Sequence, residues 1–356
     1  MLPHDMTNLL RPVDGPAAWY RAEMVRSGEW LHELAADEIA EIDTGVETVL
    51  SRGIEISDIT RDDFELPTLG PILERIRRDV IAGRGFVLIR GVPVDGRTRR
   101  EKAIAYWGIG TYFGWAVPQN AQGHLLGHVR DIGMDPANPV HRLYATRARH
   151  LFHTDSCDIV GLFCLHGARS GGSSMIVSSV TIHNEMLERR PDLVEILGQP
   201  FHVDRKGEIP AGKKPHYQLP IFNHHAGYLT TIYARDFIEG AQRFADVPRL
   251  TPTQIEAMDM ADELANSDEL RLDMDFRPGD IQFLHNHQIL HARTAYEDWP
   301  EPERKRHLLR LWLAPPDGRP LPPAFEERYG NIEPGTPRGG IRVPGQTLRA
   351  PLEPEQ

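Results

Sequence analysis

The segment Leu151-Phe152-His153-Thr154-Asp155-Ser156 sets an imidazole and a carboxylate two positions apart on a stretch that reads as a β-strand. Alternate strand residues leave the same face, so both side chains reach toward one point from backbone positions roughly 6–7 Å apart. An imidazole nitrogen and a carboxylate oxygen so placed supply two of the three ligands of the facial triad that binds non-haem Fe(II). A second, distant histidine completes that triad and leaves three positions open for other ligands. His-x-Asp is also a common polar pair, so a third donor is required. The segment from Phe283 to Arg293 offers three candidates: His285, His287 and His291. His291 follows Ile289-Leu290 and reads as the interior of a packed strand, which places it first. His287, beside Asn286 at what reads as a strand end or turn, comes second.

Farther along, Arg306-His307-Leu308-Leu309-Arg310-Leu311-Trp312-Leu313 alternates cleanly. Leu309, Leu311 and Leu313 share one face; Arg306, Leu308, Arg310 and Trp312 share the other. Two guanidinium groups on one face of an apolar strand are expensive to bury unless an anion meets them. A dicarboxylate would do so, because the planar guanidinium fork matches a carboxylate bidentately. The plainer explanation is pairing with the protein's own acidic side chains.

The chain has 356 residues, enough for a well-buried core, with 40% hydrophobic and 26% charged residues, as in a globular protein. Its formal net charge of −11 argues against a nucleic-acid partner, which would need a basic face. Two cysteines, Cys157 and Cys164, fit neither a zinc ribbon nor a C-x-x-C pair, so a reducing, cytoplasmic setting is expected. Met1 to Gly15 has no apolar stretch of signal-peptide length, and the longest apolar run, Ile159 to Leu165, is far too short to cross a bilayer. No membrane association is expected.

The elements that must position these groups follow from periodicity. Helical spacing runs through Ile39 to Leu50, Leu69 to Val80 and Thr98 to Tyr112, and Phe86 to Arg90 reads as a buried strand after Gly83 and Gly85. From about His124 to Pro315 short strands alternate with turns: 150–155, 158–166, 174–178, 201–204, 216–222, 228–233, 270–276, 280–285 and 305–313. Helices at 180–190 and 252–265 interrupt them. Many short strands at such spacing suggest a barrel or a two-sheet jelly roll.

The ordered set His153-x-Asp155, Gly171-Gly172-Ser173-Ser174, Asn286 to His291 and Arg306-x-x-x-Arg310 resembles the Fe(II)/2-oxoglutarate-dependent dioxygenases of the taurine dioxygenase (TauD/TfdA) and clavaminate synthase-like family. Gly83-Arg84-Gly85-Phe86-Val87-Leu88-Ile89-Arg90-Gly91 resembles that family's first buried strand, and the likeness spans roughly Ile72 to Leu313. It implies a mainly β fold with flanking helices around a double-stranded β-helix, the jelly-roll or cupin-like core. On this reading residues 1–356 form a single domain. Its parts are a mostly helical region 1–84, a core 85–315 with 115–144 as lid, and an irregular Pro/Gly-rich tail 316–356.

Residue by residue, the resemblance implies that His153, Asp155 and His291 hold Fe(II). It implies that Ser174, where the family pattern has Thr, and Arg306 bind the far carboxylate of 2-oxoglutarate, and that Arg310 reaches cosubstrate or substrate. It further implies an oxidoreductase that uses O2 to hydroxylate an unactivated C–H and releases succinate and CO2. The substrate is expected to be a small acidic or amino-acid-like molecule, met by Arg293, Arg310 and lid residues Gln119, Asn120, Gln122 and Arg142. Other residues have bland explanations: His150 as a satisfied polar contact, His224-His225 as a hairpin, Asn286 as structural, Cys157 as a buried filler. The alternatives are a cupin-like metal dioxygenase without 2-oxoglutarate, and a non-catalytic binding module on the same fold.

Overall fold

The computed structural model describes residues 6–138 and 140–355; residues 1–5, Pro139 and Gln356, which fall within the expected 1–84, 115–144 and 316–356 regions, lie outside it. Eleven strands build two sheets. In chain order they are β1 (Leu31–Glu33), β2 (Phe86–Arg90), β3 (Trp115–Ala116), β4 (Leu126–Val129), β5 (His150–His153) and β6 (Ile159–His166). There follow β7 (Ser174–Ser178), β8 (Leu272–Met274), β9 (Ile281–His285), β10 (Ile289–Arg293) and β11 (His307–Ala314). The larger sheet has the order β1-β2-β9-β6-β11-β3, with β4 also pairing β11; the smaller has the order β8-β7-β10-β5. Apart from the parallel β1–β2 pair, the ladders are antiparallel.

The alternation of side chains explains why two sheets stack. Leu309, Leu311 and Leu313 of β11 join Phe163, Ile281 and Phe283 under helices Ala36–Ser51, Leu69–Ala82 and Arg99–Thr111. The opposite face of the same strands, with Val160, Leu284 and Trp312, meets Ile176, Leu272 and Ile289 of the smaller sheet. That sheet's far side, with Phe152, Met175, Val177, Leu290 and Ala292, is covered by helices Ser179–Arg189, Pro191–Leu197 and Pro252–Asn266. The result is helices, sheet, sheet, helices, with the jelly-roll core between. The expected strands match to within a few residues. No helix among the described residues is long and apolar enough to cross a membrane.

Two stretches differ from the sequence reading. The 115–144 segment, expected to be loop-like throughout, contributes β3 and β4 to the larger sheet, because β11 is long enough to recruit both. The part after β4, with Arg142 and Tyr144, and Gln119 before it line the space beside the sheets. The tail 316–356 is mostly irregular, as expected, but it is not merely draped on the surface: Arg319, Phe325, Tyr329, Arg338 and Ile341 are buried.

Candidate active site

β5 and β10 are neighbours in the smaller sheet, and their register sets His153 directly across from His291. Asp155, two residues beyond His153 and just past the end of β5, turns its carboxylate between the two rings. His153 Nε2 is 3.8 Å from Asp155 Oδ1, and His291 Nε2 is 3.7 Å from Oδ2. All three ligand atoms lie within 4.8 Å of one another. The three residues brought together are thus those the resemblance implied, and His285 and His287 are turned elsewhere.

The local chemistry suits a divalent metal. His153 Nδ1 lies 2.8 Å from the Leu151 carbonyl, so it carries the proton and leaves the Nε2 lone pair facing the carboxylate. Burial, then His153 beside it, lowers the His291 pKa to about 3, so this imidazole is neutral and able to ligate. Burial pushes the Asp155 carboxyl up, but Arg310, the two imidazoles and Trp312 outweigh it and hold the group below its ordinary value. Trp312 Nε1–H donates to Asp155 Oδ2 at 2.9 Å, and the Asp155 backbone N–H donates to Asn286 Oδ1, also at 2.9 Å. Asn286, expected to be structural, therefore fixes the strand end that carries the carboxylate.

A small cavity on one side of the cluster contains Ser174, Arg306 and Arg293 among its walls, with Val129, Leu162 and Phe276 as apolar lining. None of its lining residues is acidic. Arg306 is 4% exposed; its Nη2 makes one long contact, 3.4 Å to the Gly172 carbonyl, and its Nη1 has no partner. Arg293 sits across β10 from Ser174 in the ladder, and its Nη2 donates to the carbonyls of Leu143, Thr146 and Ala148. Its Nε and Nη1 are unpartnered. Burial, with Arg306 as the next cause, lowers the Arg293 pKa to about 10. Tyr296 lies against both guanidinium groups, with its ring centroid 4.9 and 5.1 Å away.

Buried donors left unpaired cost about 1–3 kcal/mol each, and more when charged, so this pocket is built for an anion. The glycine pair lets the cradle close. Gly171 and Gly172 both have φ near +70°, and a Cβ on Gly172 would come within 3.0 Å of Arg306 Nε. Ser174 Oγ, 5% exposed as a residue, is 3.4 Å from Gln282 Oε1 and lines the same pocket.

Arg293 departs from the sequence reading. It was expected to meet a substrate anion, yet it stands beside Arg306, because it follows His291 by two and shares that residue's face of β10. The pattern His291-x-Arg293 on one strand face was the signal available for it. Arg310 stands between two cavities. Its Nε donates to Gln119 Oε1 at 2.7 Å, and its Nη1 is 3.7 Å from Asp155 Oδ2.

On the other side of Asp155 lies a second cavity of about 60 Å³ lined by Arg142, Tyr144, Lys206, Phe237, Arg310 and Trp312, among others. It shares Gln119, Arg142, Tyr144, Lys206 and Arg310 with a wider cavity of about 370 Å³, a size usual for small-molecule sites. Lys206 and Arg142 both approach the Phe237 ring, at 4.4 and 4.9 Å from its centroid. Lys206 pairs with Asp236 at 2.8 Å and Arg142 pairs with Glu208. Lys206 was not anticipated; it is brought in by the 204–208 turn and sits at φ 48°, a backbone conformation rare outside glycine.

Known proteins resemble this chain in sequence and in fold. The sequence profile of the "Taurine catabolism dioxygenase TauD, TfdA family" matches residues 52–312. The chain is 30% identical to FR-33289 synthase of Streptomyces rubellomurinus over 327 residues, 90% of this chain and 96% of that protein. It is also 30% identical over 331 residues to the taurine hydroxylase-like protein SAT17 of Stachybotrys chartarum, covering 88% and 84%. Among solved structures, asparagine oxygenase in complex with Fe(II), 3-hydroxyasparagine and succinate superposes with a TM-score of 0.62 at 15% identity, over 80% of this chain and 93% of that one. The non-haem iron oxygenase OrfP with Fe and alpha-ketoglutaric acid gives 0.59 at 14% identity, over 80% and 93%.

Proposed function

From the premise that this chain belongs to the TauD/TfdA family and is an Fe(II)- and 2-oxoglutarate-dependent dioxygenase, we propose that it hydroxylates a small acidic or amino-acid-like molecule at the cavity holding Lys206 and Arg142. In this reading His153, Asp155 and His291 are the metal ligands. Arg306, Ser174 and Arg293 hold the far carboxylate of 2-oxoglutarate. The chemistry the bound metal and cosubstrate supply is oxidative: 2-oxoglutarate leaves as succinate and CO2, and one oxygen atom of O2 enters a substrate C–H bond.

The chain's own residues do the rest. Asp155, His153 and His291 present three donors on one side, so substrate approaches from the other. Arg310, between the cavities and tied to Gln119, faces both the cosubstrate and the substrate side. Tyr144 and Arg142, on the segment after β4, roof the reaction space and limit water. The observation that carries the reading is the convergence of the three donor atoms beside an acid-free pocket whose two arginines keep unpartnered N–H groups.

Lys206 and Arg142 face the cavities together with their partners Asp236 and Glu208, so the wall carries both signs of charge, which suits an amino-acid-like substrate bearing an acid and an amine. Asparagine oxygenase, a structural relative, is crystallised with a hydroxylated amino acid, which supports the amino-acid-like reading. We take the whole chain as one catalytic domain, with the segment after β4 as its lid. Its two cysteines, both buried and unpaired, fit a reducing, cytoplasmic setting. The test is succinate release from 2-oxoglutarate, screened over amino acids, sulfonates and small carboxylates. One class is expected to accelerate it well above the uncoupled rate, and acceleration by neutral molecules alone would overturn the substrate assignment.

A further inference from the structure

A second cluster of two histidines and an aspartate, Asp158, His285 and His287, also has its ligand atoms within 4.8 Å of one another. It is filled from within the chain. Arg338 Nε donates to Asp158 Oδ2 at 2.9 Å and its Nη2 to Oδ1 at 2.6 Å, while His287 Nε2 lies 2.9 Å from Oδ1. Arg338 is 1% exposed and Asp158 fully buried. Further Arg338 N–H groups go to the carbonyls of Ile332 and Arg319. Arg319 in turn reaches His285 Nδ1 at 3.2 Å, the carbonyls of Leu229 and Ile81, and the Gln288 side chain.

These arginines come from the tail, beyond the family match that ends at residue 312. The same tail grips the residues next to Asp155. Arg328 Nε donates to Ser156 Oγ at 2.9 Å, and the Gly340 N–H donates to the Ser156 carbonyl at 2.8 Å. The Asp158 carbonyl accepts from the Asn286 N–H at 2.9 Å, and Asn286 Oδ1 holds the Asp155 N–H. Hydrogen bonds linked through the bodies of Asp158 and Asn286 therefore connect Arg338 to the Asp155 backbone.

We infer that the C-terminal tail is a working part of the metal-binding site, with Arg338 as a positioning residue that, through Asp158 and Asn286, fixes the backbone at Asp155 and so the place from which its carboxylate meets His153 and His291. This rests on the assignment of those three residues as ligands. A buried carboxylate at 158 requires a counter-cation, and a guanidinium anchored at four acceptors sets the carboxylate's direction as well as its charge. Outer partners of metal ligands usually matter to affinity by about 10–100-fold.

The experiment is titration of the metal-free full chain with Co(II), an absorbing surrogate for Fe(II), following its d–d bands and the melting temperature of the apoprotein. Arg338→Lys keeps the charge and loses the fork. It is expected to bind Co(II) about 10-fold or more weakly, with altered bands, while the apoprotein melts within a few degrees of wild type. Arg342→Ala, on the exposed side of the same tail, is expected to bind like wild type. Should Arg338→Lys fail to fold, Arg328→Ala, which frees the Ser156 hydroxyl and removes a guanidinium 6.0 Å from the Tyr217 ring centroid, is read in the same way. A folded Arg338→Lys, or in its place a folded Arg328→Ala, with wild-type affinity and bands would overturn the inference. If wild type itself took up no Co(II), or kept it after His153→Ala, the ligand assignment would fall instead.

Discussion

Two clusters of identical composition stand a few residues apart in this chain, and only one is open. His153, Asp155 and His291 line the two cavities between them, whereas Asp158 and His285 are met by the buried Arg338 and Arg319, and His287 by Asp158. The arginines repeat the contrast. Arg306 and Arg293 keep unpartnered N–H groups in a pocket without acids, whereas Arg338 spends its donors on Asp158 and two carbonyls. Composition and proximity do not make a metal or anion site. What decides is whether the chain supplies its own counter-ion: where it does, the cluster is a clasp, and where it does not, the cluster awaits a ligand.

The sharpest way to break this contrast is to remove one histidine from each cluster. His291→Ala is expected to abolish 2-oxoglutarate turnover, whereas His287→Ala keeps it at a reduced rate; anaerobic metal titration with a succinate assay checks both. Equal losses in the two variants would show that the clusters are not different in kind. The clasp should show itself in stability. Asp158→Asn leaves Arg338 uncompensated and is expected to cost about 3–5 kcal/mol, measured by urea denaturation of the apoprotein.

The same carboxylate gives a pH dependence. Burial raises its pKa, but the hydrogen bonds from His287 and Arg338 outweigh that and hold it below its ordinary value. Its contribution to stability is thus fully present above the unfolded carboxylate range, near about 4, and is lost as pH falls through the lower folded value. Asp158→Asn should remove that part of the acid sensitivity. An acid profile unchanged by the substitution would contradict the clasp.

On the open side, Arg306→Met removes charge-assisted hydrogen bonds worth about 1.5–3 kcal/mol, so KM for 2-oxoglutarate should rise about 10- to 150-fold. The preference over a monocarboxylate 2-oxoacid should shrink in step. Arg293→Met should raise the same KM by about 10-fold, since part of its guanidinium is already used on the 143–148 carbonyls. If it changed only the substrate KM, Arg293 would belong to the other cavity. Ser174→Ala is the mildest case, about 5-fold in the 2-oxoglutarate KM for one neutral hydrogen bond.

What could be read from the sequence was what repeats locally. The alternation along 306–313 gave the two faces of β11, and the His153-x-Asp155 spacing marked the right pair, although the strand ends at His153 and a turn, rather than strand alternation, carries Asp155. The three histidines at 285–291 could not be told apart by spacing. They are separated by what lies opposite them: His153 across the ladder from His291, Arg319 against His285, and the Asp158 carboxylate against His287. The Arg338–Asp158 and Gln119–Arg310 contacts join residues 180 and 191 positions apart, and no periodicity announces either one. The tail looked irregular because Pro and Gly fill it, yet irregular backbone can still deliver buried side chains. Lys206 was hidden for a similar reason: a tight turn, rather than a strand face, brings it to the cavity.

Metal stoichiometry with the 2-oxoglutarate charge-transfer band, measured anaerobically on wild type, His291→Ala and His287→Ala, tests the central claim most directly. One Fe(II) per chain and a visible band are predicted for wild type, both lost in His291→Ala and both retained in His287→Ala. A band that survives in His291→Ala, or disappears only in His287→Ala, would place the metal in the wrong cluster and contradict the account.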